Sequence, residues 1–170
     1  MPRPCSHDAL NEALANAETR VLTMLMLGAM LGLRREEISR VHTDNYLYSS
    51  NGLSLWVRGK GDRDRLLAVP DNLSALLLCH TQGFIFPGQI DGHLSPEYVG
   101  KLMSQAIPGR FSAHSLRHFF GTTAYGFTHD ILLVQTMLGH SSPATTQIYV
   151  QLDTRGQRDT INQISDMLAA

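Results

Sequence analysis

Apolar residues recur at helical spacing along most of the chain. The stretch from Val21 to Leu33 is almost continuously apolar and is flanked by charged residues. It is shorter than the roughly 20 residues that a membrane-spanning helix needs, so it predicts a buried central helix. Gly32 predicts a break near the end of this helix, and the segment Arg34 to Ile38 then restarts a helical turn.

Amphipathic patterns predict seven further helices. The first begins near Asp8, with Ser6 or His7 in the capping position. The other six are short and lie in the second part of the chain, over Asp71 to His80, Ser95 to Ala106, His114 to Tyr125, Asp130 to Leu138, Pro143 to Val150 and Arg155 to Leu168.

Patterns typical of strands are confined to one segment before Pro70. Tyr46 to Tyr48 and Leu53 to Val57 are runs of aromatic and aliphatic residues, and Asn51-Gly52 between them is a strong hairpin signal. A third strand is predicted over Leu66 to Val69, and none beyond it. Together these patterns predict a mainly helical (α+β) domain with a small three-stranded antiparallel sheet.

Length and composition indicate one compact domain over residues 1–170. The chain is 43% hydrophobic, which excludes a disordered tail. Its formal charge of −1 supplies none of the global basicity that usually marks a nucleic-acid partner. Cys5 and Cys79 are the only cysteines, so no disulfide framework is expected. With no secretion signal in view, a cytoplasmic location is expected.

Two basic positions in this sequence suit an anion. Arg34 follows an apolar helix and a glycine, and a guanidinium offers a rigid fork for phosphate oxygens. The charged run up to Arg40 fits solvated pairs at helical spacing equally well. Lys60 lies between Gly59 and Gly61, where backbone can approach a ligand closely and the ammonium can donate a proton. An exposed hairpin turn explains that pattern too.

A further cluster lies near the start of a predicted helix capped by Ser112. His114, Arg117 and His118 are spaced to share one helical face, at an end of the helix that favours anions. His114 and His118 are also spaced like a metal-binding pair, although the sequence lacks the glutamate of an HExxH motif.

The last candidate segment surrounds Tyr149. Ser142 followed by Pro143 predicts a helix start, which places Tyr149 near the end of a short helix. A single tyrosine at such a position is usually part of an apolar core, so alone it indicates no chemistry.

The order of these segments is more specific than any one of them. It resembles the tyrosine recombinase or phage integrase family, over residues from about Ser6 to Gln151, the whole catalytic domain of that family. The fold that this resemblance implies agrees with the helices and small sheet predicted above. The residues that carry it are, in order, Arg34, the glycine-flanked Lys60, His114-x-x-Arg117, Leu138-Gly139-His140 and Tyr149.

The resemblance implies that the protein cleaves and rejoins DNA strands without hydrolysis. Tyr149 is the implied nucleophile, which forms a 3′-phosphotyrosyl link and releases a 5′-hydroxyl. Arg34 and Arg117 are then expected to stabilise the charge that develops on the non-bridging oxygens. This chemistry requires neither ATP nor a metal, so no cofactor is expected.

The same resemblance assigns the proton transfers. His114 matches the position that assists removal of the tyrosine proton, and Lys60 matches the general acid for the leaving 5′-oxygen. His140 matches a further phosphate donor. Glu37, three residues after Arg34, matches an acidic position that orients a histidine or arginine of the site.

Departures from the family pattern are mild within this domain. Leu31 stands where the family often has a threonine-like residue, and Arg63 replaces the usual second lysine of the hairpin. Members usually carry a separate DNA-gripping domain first, which we expect to be absent from residues 1–170. In residues 152–170 one apolar face predicts packing on the same domain or, as the resemblance implies, on a neighbouring protomer; this face consists of Ile161, Ile164, Met167 and Leu168.

Positive charge is concentrated in two regions, Arg58 to Arg65 and Lys101 to His118. We expect them to face double-stranded DNA at recombination sites, with self-association into a tetrameric synapse and no membrane contact. The expected DNA contacts are Arg35, Arg58, Arg63, Arg65, Lys101 and Arg110.

Two other functions fit the same chemistry or fold. One is DNA relaxation by a type IB topoisomerase, against which the compact motif spacing argues. The other is a non-catalytic DNA-binding regulator, which the full set of catalytic residue types disfavours.

Overall fold

A computed structural model describes residues 5–59, 64–139 and 154–170. Eight α-helices lie in these ranges, besides a 3₁₀ turn at Thr43–Asn45: α1 His7–Asn16, α2 Thr19–Leu31, α3 Arg35–Ser39, α4 Asp71–Leu77, α5 Pro96–Ala106, α6 Ala113–Thr128, α7 Ile131–Leu138 and α8 Thr154–Ala169. The strands are β1 Tyr46–Ser49, β2 Gly52–Val57, β3 Arg65–Ala68 and β4 Pro87–Ile90. The helix predicted over Pro143 to Val150 lies outside the described residues. Across the three described ranges, no helix has the length and apolar character needed to cross a membrane.

Helix α2 is the centre of the fold. Almost every residue from Val21 to Leu31 is buried, and the helix packs against α1, α3, α4, α5, α6 and α8. The helix ends at Gly32, which adopts a left-handed conformation with φ of 65°. A Cβ there would lie 2.5 Å from the Phe120 ring, so only glycine fits. The predicted break is therefore confirmed, and it turns the chain sharply into α3.

Strands β1, β2 and β3 form the predicted antiparallel sheet, in that order. Ser49 pairs with Gly52, so Ser50 and Asn51 form the tip of the hairpin rather than the Asn51-Gly52 pair that the sequence favoured. Gly52 instead begins β2 with φ of 107°, and a Cβ there would lie 3.1 Å from the Arg158 guanidinium. The glycine is thus needed for close packing against α8.

Strand β4 was not predicted, because only helices were expected after Pro70. Its short hairpin closes at Asp91 and Gly92, which both have positive φ. The Gly88 N–H donates to the Gly92 carbonyl at 3.1 Å, and the Leu94 N–H to that of Phe86 at 2.9 Å. Glycine-driven turn geometry forms this strand without the alternating apolar pattern that sequence reading relies on.

Helix α8 packs on its own chain, against α6 and β3. Its apolar residues Ile161, Ile164 and Leu168 are buried. The Arg158 guanidinium fastens the helix to the sheet by donating to the carbonyls of Leu53, at 3.1 Å, and Val69, at 3.4 Å. The same-domain alternative is thus observed for this single chain, and packing on a neighbouring protomer stays a prediction.

The substitution Ile164→Ala tests whether α8 belongs to the core. Ile164 is fully buried, so truncating it removes apolar contacts and leaves a cavity. We expect the free energy of unfolding, measured by urea denaturation, to fall by about 2–5 kcal/mol. The exposed neighbour Gln163, changed to alanine, provides the control and should change stability little. Equal effects of the two substitutions would contradict the packing described here.

Candidate active site

The site is built around Glu37, whose side chain is only 5% exposed. Arg34 occupies the N-cap of α3, directly after the Gly32 break. The Glu37 carboxylate accepts a hydrogen bond from the Arg34 backbone N–H at 2.8 Å and one from its guanidinium Nη1 at 3.0 Å. An acidic residue three positions into a helix thus caps the helix start and fixes the arginine that precedes it. The Arg34 side chain remains 38% exposed, at the edge of a cleft.

Arg65 is the second arginine on this carboxylate. Its Nη1 and Nη2 donate to the two oxygens of Glu37, at 2.9 Å each, and its Nε donates to the Met137 carbonyl at 2.8 Å. The expectation that Arg65 contacts DNA is therefore wrong, since its side chain is 5% exposed and lies in the interior. Strand alternation is the reason: Arg65 and the buried Leu67 face the same side of β3.

Arg117 is the third arginine, and it bridges two helix ends. Its Nη1 donates to the Gly32 carbonyl, at 2.6 Å, and its Nη2 donates to the Leu138 carbonyl. The same Nη1 lies 4.0 Å from a carboxylate oxygen of Glu37. Carbonyls at the C-termini of α2 and α7 carry the negative end of each helix dipole, so a buried cation is favoured there.

The electrostatic balance of this cluster is positive. Three guanidinium groups against one carboxylate leave a formal charge of +2 among Arg34, Arg65, Arg117 and Glu37. Burial opposes ionisation of Glu37, but the hydrogen bonds and charge of Arg65, with a smaller part from Arg34, keep its pKa below the usual value. Burial, and then the charges of Arg34 and Arg65, lower the pKa of Arg117 to about 10. Arg117 thus stays charged at neutral pH, and the formal excess of positive charge among these four groups suits an anion.

The adjoining cleft extends from Arg34 along the end of β2. Trp56, Arg58 and Gly139 also line it, and Arg58 is exposed. Arg34 therefore lies beside a surface groove, which is also lined by the acidic residues Glu36, Asp44 and Asp91.

Asp64 closes the connection between β2 and β3, a role that the sequence analysis did not assign. One carboxylate oxygen accepts from the Trp56 Nε1, at 3.0 Å, and the other accepts from the Gly59 N–H at 3.2 Å. The two ends of the segment 60–63 are thereby held together. Tryptophan followed eight residues later by aspartate, across a hairpin, is the only signal for this contact in the sequence.

The two histidines of α6 differ from Arg117 in burial. His114 and His118 are exposed, with ring centroids 6.2 Å apart, whereas Arg117 is buried. The predicted common face is therefore wrong in part. Arg117 precedes the buried Phe120 and Ala124 by three and seven residues, which places it on the core side of the helix.

The roles of four predicted site residues stay predictions. Lys60, Arg63, His140 and Tyr149 lie outside the described residues.

The remaining surface cations differ in their surroundings. Arg35 is exposed but donates to Glu36 at 2.8 Å and lies 4.0 Å from Glu97. Lys101 and Arg110 are exposed on α5 and on the loop that follows it.

The substitution Glu37→Gln tests the central ion pairs through their pH dependence. Because the pKa of Glu37 is lower in the folded protein than in the unfolded chain, where it is roughly 4.3, its charge stabilises the fold above about pH 4.3. This stabilisation is lost as the pH falls through the folded-state pKa. We expect Glu37→Gln to lower the free energy of unfolding at neutral pH by about 3 kcal/mol, as breaking a buried ion pair does, and to remove this acid-dependent loss.

The measurement is urea denaturation at a series of pH values between neutral and acidic. Glu36→Gln is the matched control, because the Glu36 carboxylate is 48% exposed and pairs with Arg35 at the surface. If both variants showed the same pH dependence as the original protein, Glu37 would not hold the buried charge.

Comparison with known proteins agrees with this geometry. Residues 5–155 match the phage integrase family. Among curated relatives, the tyrosine recombinase XerC of Bradyrhizobium diazoefficiens is 33% identical, over 76% of this chain and 42% of that protein. The XerC of Actinobacillus succinogenes is 29% identical, over 96% of this chain and 61% of that protein. The chain thus spans roughly half the length of these two relatives.

Solved structures show the same fold. The integrase from mycobacterium phage Brujita superposes with a TM-score of 0.85 at 27% identity, covering 99% of this chain and 63% of that one. The XerA recombinase gives a TM-score of 0.68 at 25% identity, covering 96% of this chain and 65% of that one. The XerH recombinase bound to its difH substrate gives 0.70 at 22% identity, covering 84% of this chain and 48% of that one, which supports the fold alone. Because the family match covers residues 5–155 and the arginine cluster agrees with it, this chain belongs to the phage integrase family of tyrosine recombinases.

Proposed function

We propose that this chain is the catalytic part of a site-specific DNA recombinase, which cleaves and rejoins strands through a 3′-phosphotyrosyl intermediate. The observation that carries this proposal is the positive cluster around Glu37, with Arg34 exposed at the edge of an open groove. Each phosphate of a DNA backbone carries two non-bridging oxygens that a guanidinium group can bind. A surface groove with an exposed arginine can therefore bind DNA.

The arginines supply the electrostatic part of the reaction. Negative charge is spread over the non-bridging oxygens as the phosphorus atom passes through the transition state. Arg34 lies at the groove and Arg117 lies in the same cluster around Glu37, so both charges act on that developing charge. Preorganised donors of this kind are effective because the fold has already oriented them.

The covalent step exchanges one phosphate ester bond for another and needs no cofactor. The Tyr149 oxygen forms a bond to phosphorus while the bond from phosphorus to the 5′-oxygen breaks. The tyrosine proton is taken with the help of His114, and the leaving 5′-oxygen gains a proton from Lys60. A 5′-hydroxyl of a partner strand then reverses the reaction and releases Tyr149, so the phosphodiester energy is conserved.

Relatives favour recombination over the two other functions. The curated relatives are named tyrosine recombinases, and one solved neighbour is described as a lambda integrase tetramer bound to a Holliday junction. By analogy we propose double-stranded DNA as the partner, self-association on that DNA, and action in the cytoplasm. We propose residues 1–170 as one catalytic domain, whose segment 152–170 can also pack on a neighbouring protomer.

A nicked suicide duplex tests the chemistry. We expect this chain to form a covalent complex that survives a denaturing gel, and Tyr149→Phe to form none, because the nucleophilic oxygen is absent. Arg34→Ala should slow complex formation roughly 10²–10³-fold, as the loss of one transition-state donor does. A complex that persisted with Tyr149→Phe would overturn the nucleophile assignment. Joining of two marked sites, as opposed to relaxation of supercoiled plasmid, separates a recombinase from a topoisomerase.

Salt dependence of binding tests the groove as the DNA surface. We expect Arg58→Ala to reduce the slope of log K against log salt concentration by about 1, because one phosphate contact is lost. Fluorescence anisotropy with a labelled duplex at several salt concentrations measures the slope. Arg20→Ala, an exposed arginine at the start of α2 that does not line the groove, is the matched control and should leave the slope unchanged.

A further inference from the structure

Arg65 is buried at the site without access to DNA. All three nitrogens of its guanidinium donate hydrogen bonds, two to Glu37 and one to the Met137 carbonyl. A buried ion pair of this kind adds little net stability over a well-packed apolar pair, because desolvation offsets the attraction. What Arg65 contributes is therefore the positions of the groups that it binds, Glu37 and the Met137 carbonyl.

The hydrogen bonds of the Glu37 carboxylate show that geometry. Each carboxylate oxygen has two lone-pair directions, so the group accepts about four hydrogen bonds. One oxygen accepts from the Nη1 atoms of Arg34 and Arg65, and the other accepts from the Arg34 backbone N–H and the Arg65 Nη2. These four hydrogen bonds fill the acceptor capacity of the carboxylate, and Arg65 donates two of them.

The other two arginines make fewer side-chain contacts with this carboxylate than Arg65 does. Arg117 Nη1 remains 4.0 Å from the carboxylate, beyond hydrogen-bond distance, and donates to the Gly32 carbonyl instead. Arg34 is bound to the carboxylate through a single guanidinium nitrogen, and its side chain stays 38% exposed at the groove. Neither arginine is drawn fully into an ion pair with Glu37.

We propose that Arg65 is a positioning residue of the reaction: it fills half of the Glu37 carboxylate, so that Arg34 and Arg117 do not close onto this anion and their charges act on the scissile phosphate. This inference rests on the proposed function. In the absence of Arg65, two acceptor directions open on a buried anion. The guanidinium groups of Arg34 and Arg117 then move to these acceptor directions. Their positive charge is neutralised by Glu37 and no longer acts on the phosphate.

The same side chain fixes the end of α7. Arg65 holds the Met137 carbonyl while Arg117 holds that of Leu138. A Cβ on Gly139 would lie 3.1 Å from Arg65 Nη1, so the guanidinium packs directly on the turn that ends the helix. Arg65 therefore also sets the distance between Glu37 and the point where the chain leaves α7.

The test compares two substrates in the suicide-duplex assay. One carries the normal phosphodiester at the scissile position, and the other a methylphosphonate, in which a methyl group replaces one non-bridging oxygen and removes the negative charge. The rate of attack on an uncharged phosphorus centre depends less on the charge of the arginines. We expect Arg65→Met to slow covalent-complex formation on the phosphodiester roughly 10- to 100-fold, as the loss of a supporting residue commonly does, and to slow it clearly less on the methylphosphonate.

Two further variants make the result specific. Arg65→Met combined with Glu37→Gln removes both charges, so it should recover part of the rate on the phosphodiester. Arg158→Met is the matched control, because Arg158 is also a partly buried arginine, but it binds the Leu53 and Val69 carbonyls. Its effect should be equal on the two substrates. Circular dichroism gives the folded fraction by which each rate is divided.

Other outcomes decide against the proposal. Equal losses on both substrates for Arg65→Met, after correction for the folded fraction, would show a structural role only. If Arg65→Met does not fold, Arg65→Lys replaces it; this variant keeps the charge but not the two-point contact, and an unchanged ratio of the two rates would again overturn the proposal. Failure of the original protein to form any covalent complex, with either substrate, would instead contradict the proposed function itself.

Discussion

The buried carboxylate of Glu37 is the interaction on which this site depends. Four donors from Arg34 and Arg65 converge on its two oxygens, and Arg117 stands at 4.0 Å. A carboxylate in the interior is tolerated only when its hydrogen bonds are satisfied and its charge is compensated. The partners come from α3, β3 and α6, so satisfying one anion fixes three separate parts of the chain relative to one another.

Helix ends complete the arrangement. The carbonyls of Gly32, Met137 and Leu138 lie at the C-termini of α2 and α7, where an intrahelical partner is lacking. Buried arginine side chains donate hydrogen bonds to these carbonyls. The same bonds satisfy the buried N–H groups of the arginines. The Gly32 break is thus more than a turn. It delivers a carbonyl to Arg117 and starts the helix that carries Glu37.

Local periodicity predicted most of the fold, because α2, the sheet and α8 each bury an apolar pattern that is visible in the sequence. Charged residues were harder to place. Arg65 lies in a run of charges that resembles an exposed loop, and only its alternation with Leu67 indicates a buried side chain. Arg117 was expected beside two histidines, although its spacing from Phe120 places it towards the core. Long-range contacts decide both positions: Arg65 pairs with Glu37, and Arg117 donates to the carbonyls of Gly32 and Leu138. The local sequence pattern does not show such contacts.

A chain of net charge −1 can therefore present a strongly positive site. Exposed charges are screened within about 10 Å at 0.1 M salt, so acids beyond that distance contribute little at the groove, whereas Glu36, Asp44 and Asp91 line it directly. Inside the cluster, the three guanidinium groups face one carboxylate and two helix C-termini of roughly half a negative charge each. Among these described groups the sum is about one positive charge, in a partly desolvated setting where it acts more strongly than the same charge in water. What matters for phosphate binding is thus the local ratio of arginine to acceptor, and in the interior that ratio is set by how many hydrogen bonds one carboxylate can accept.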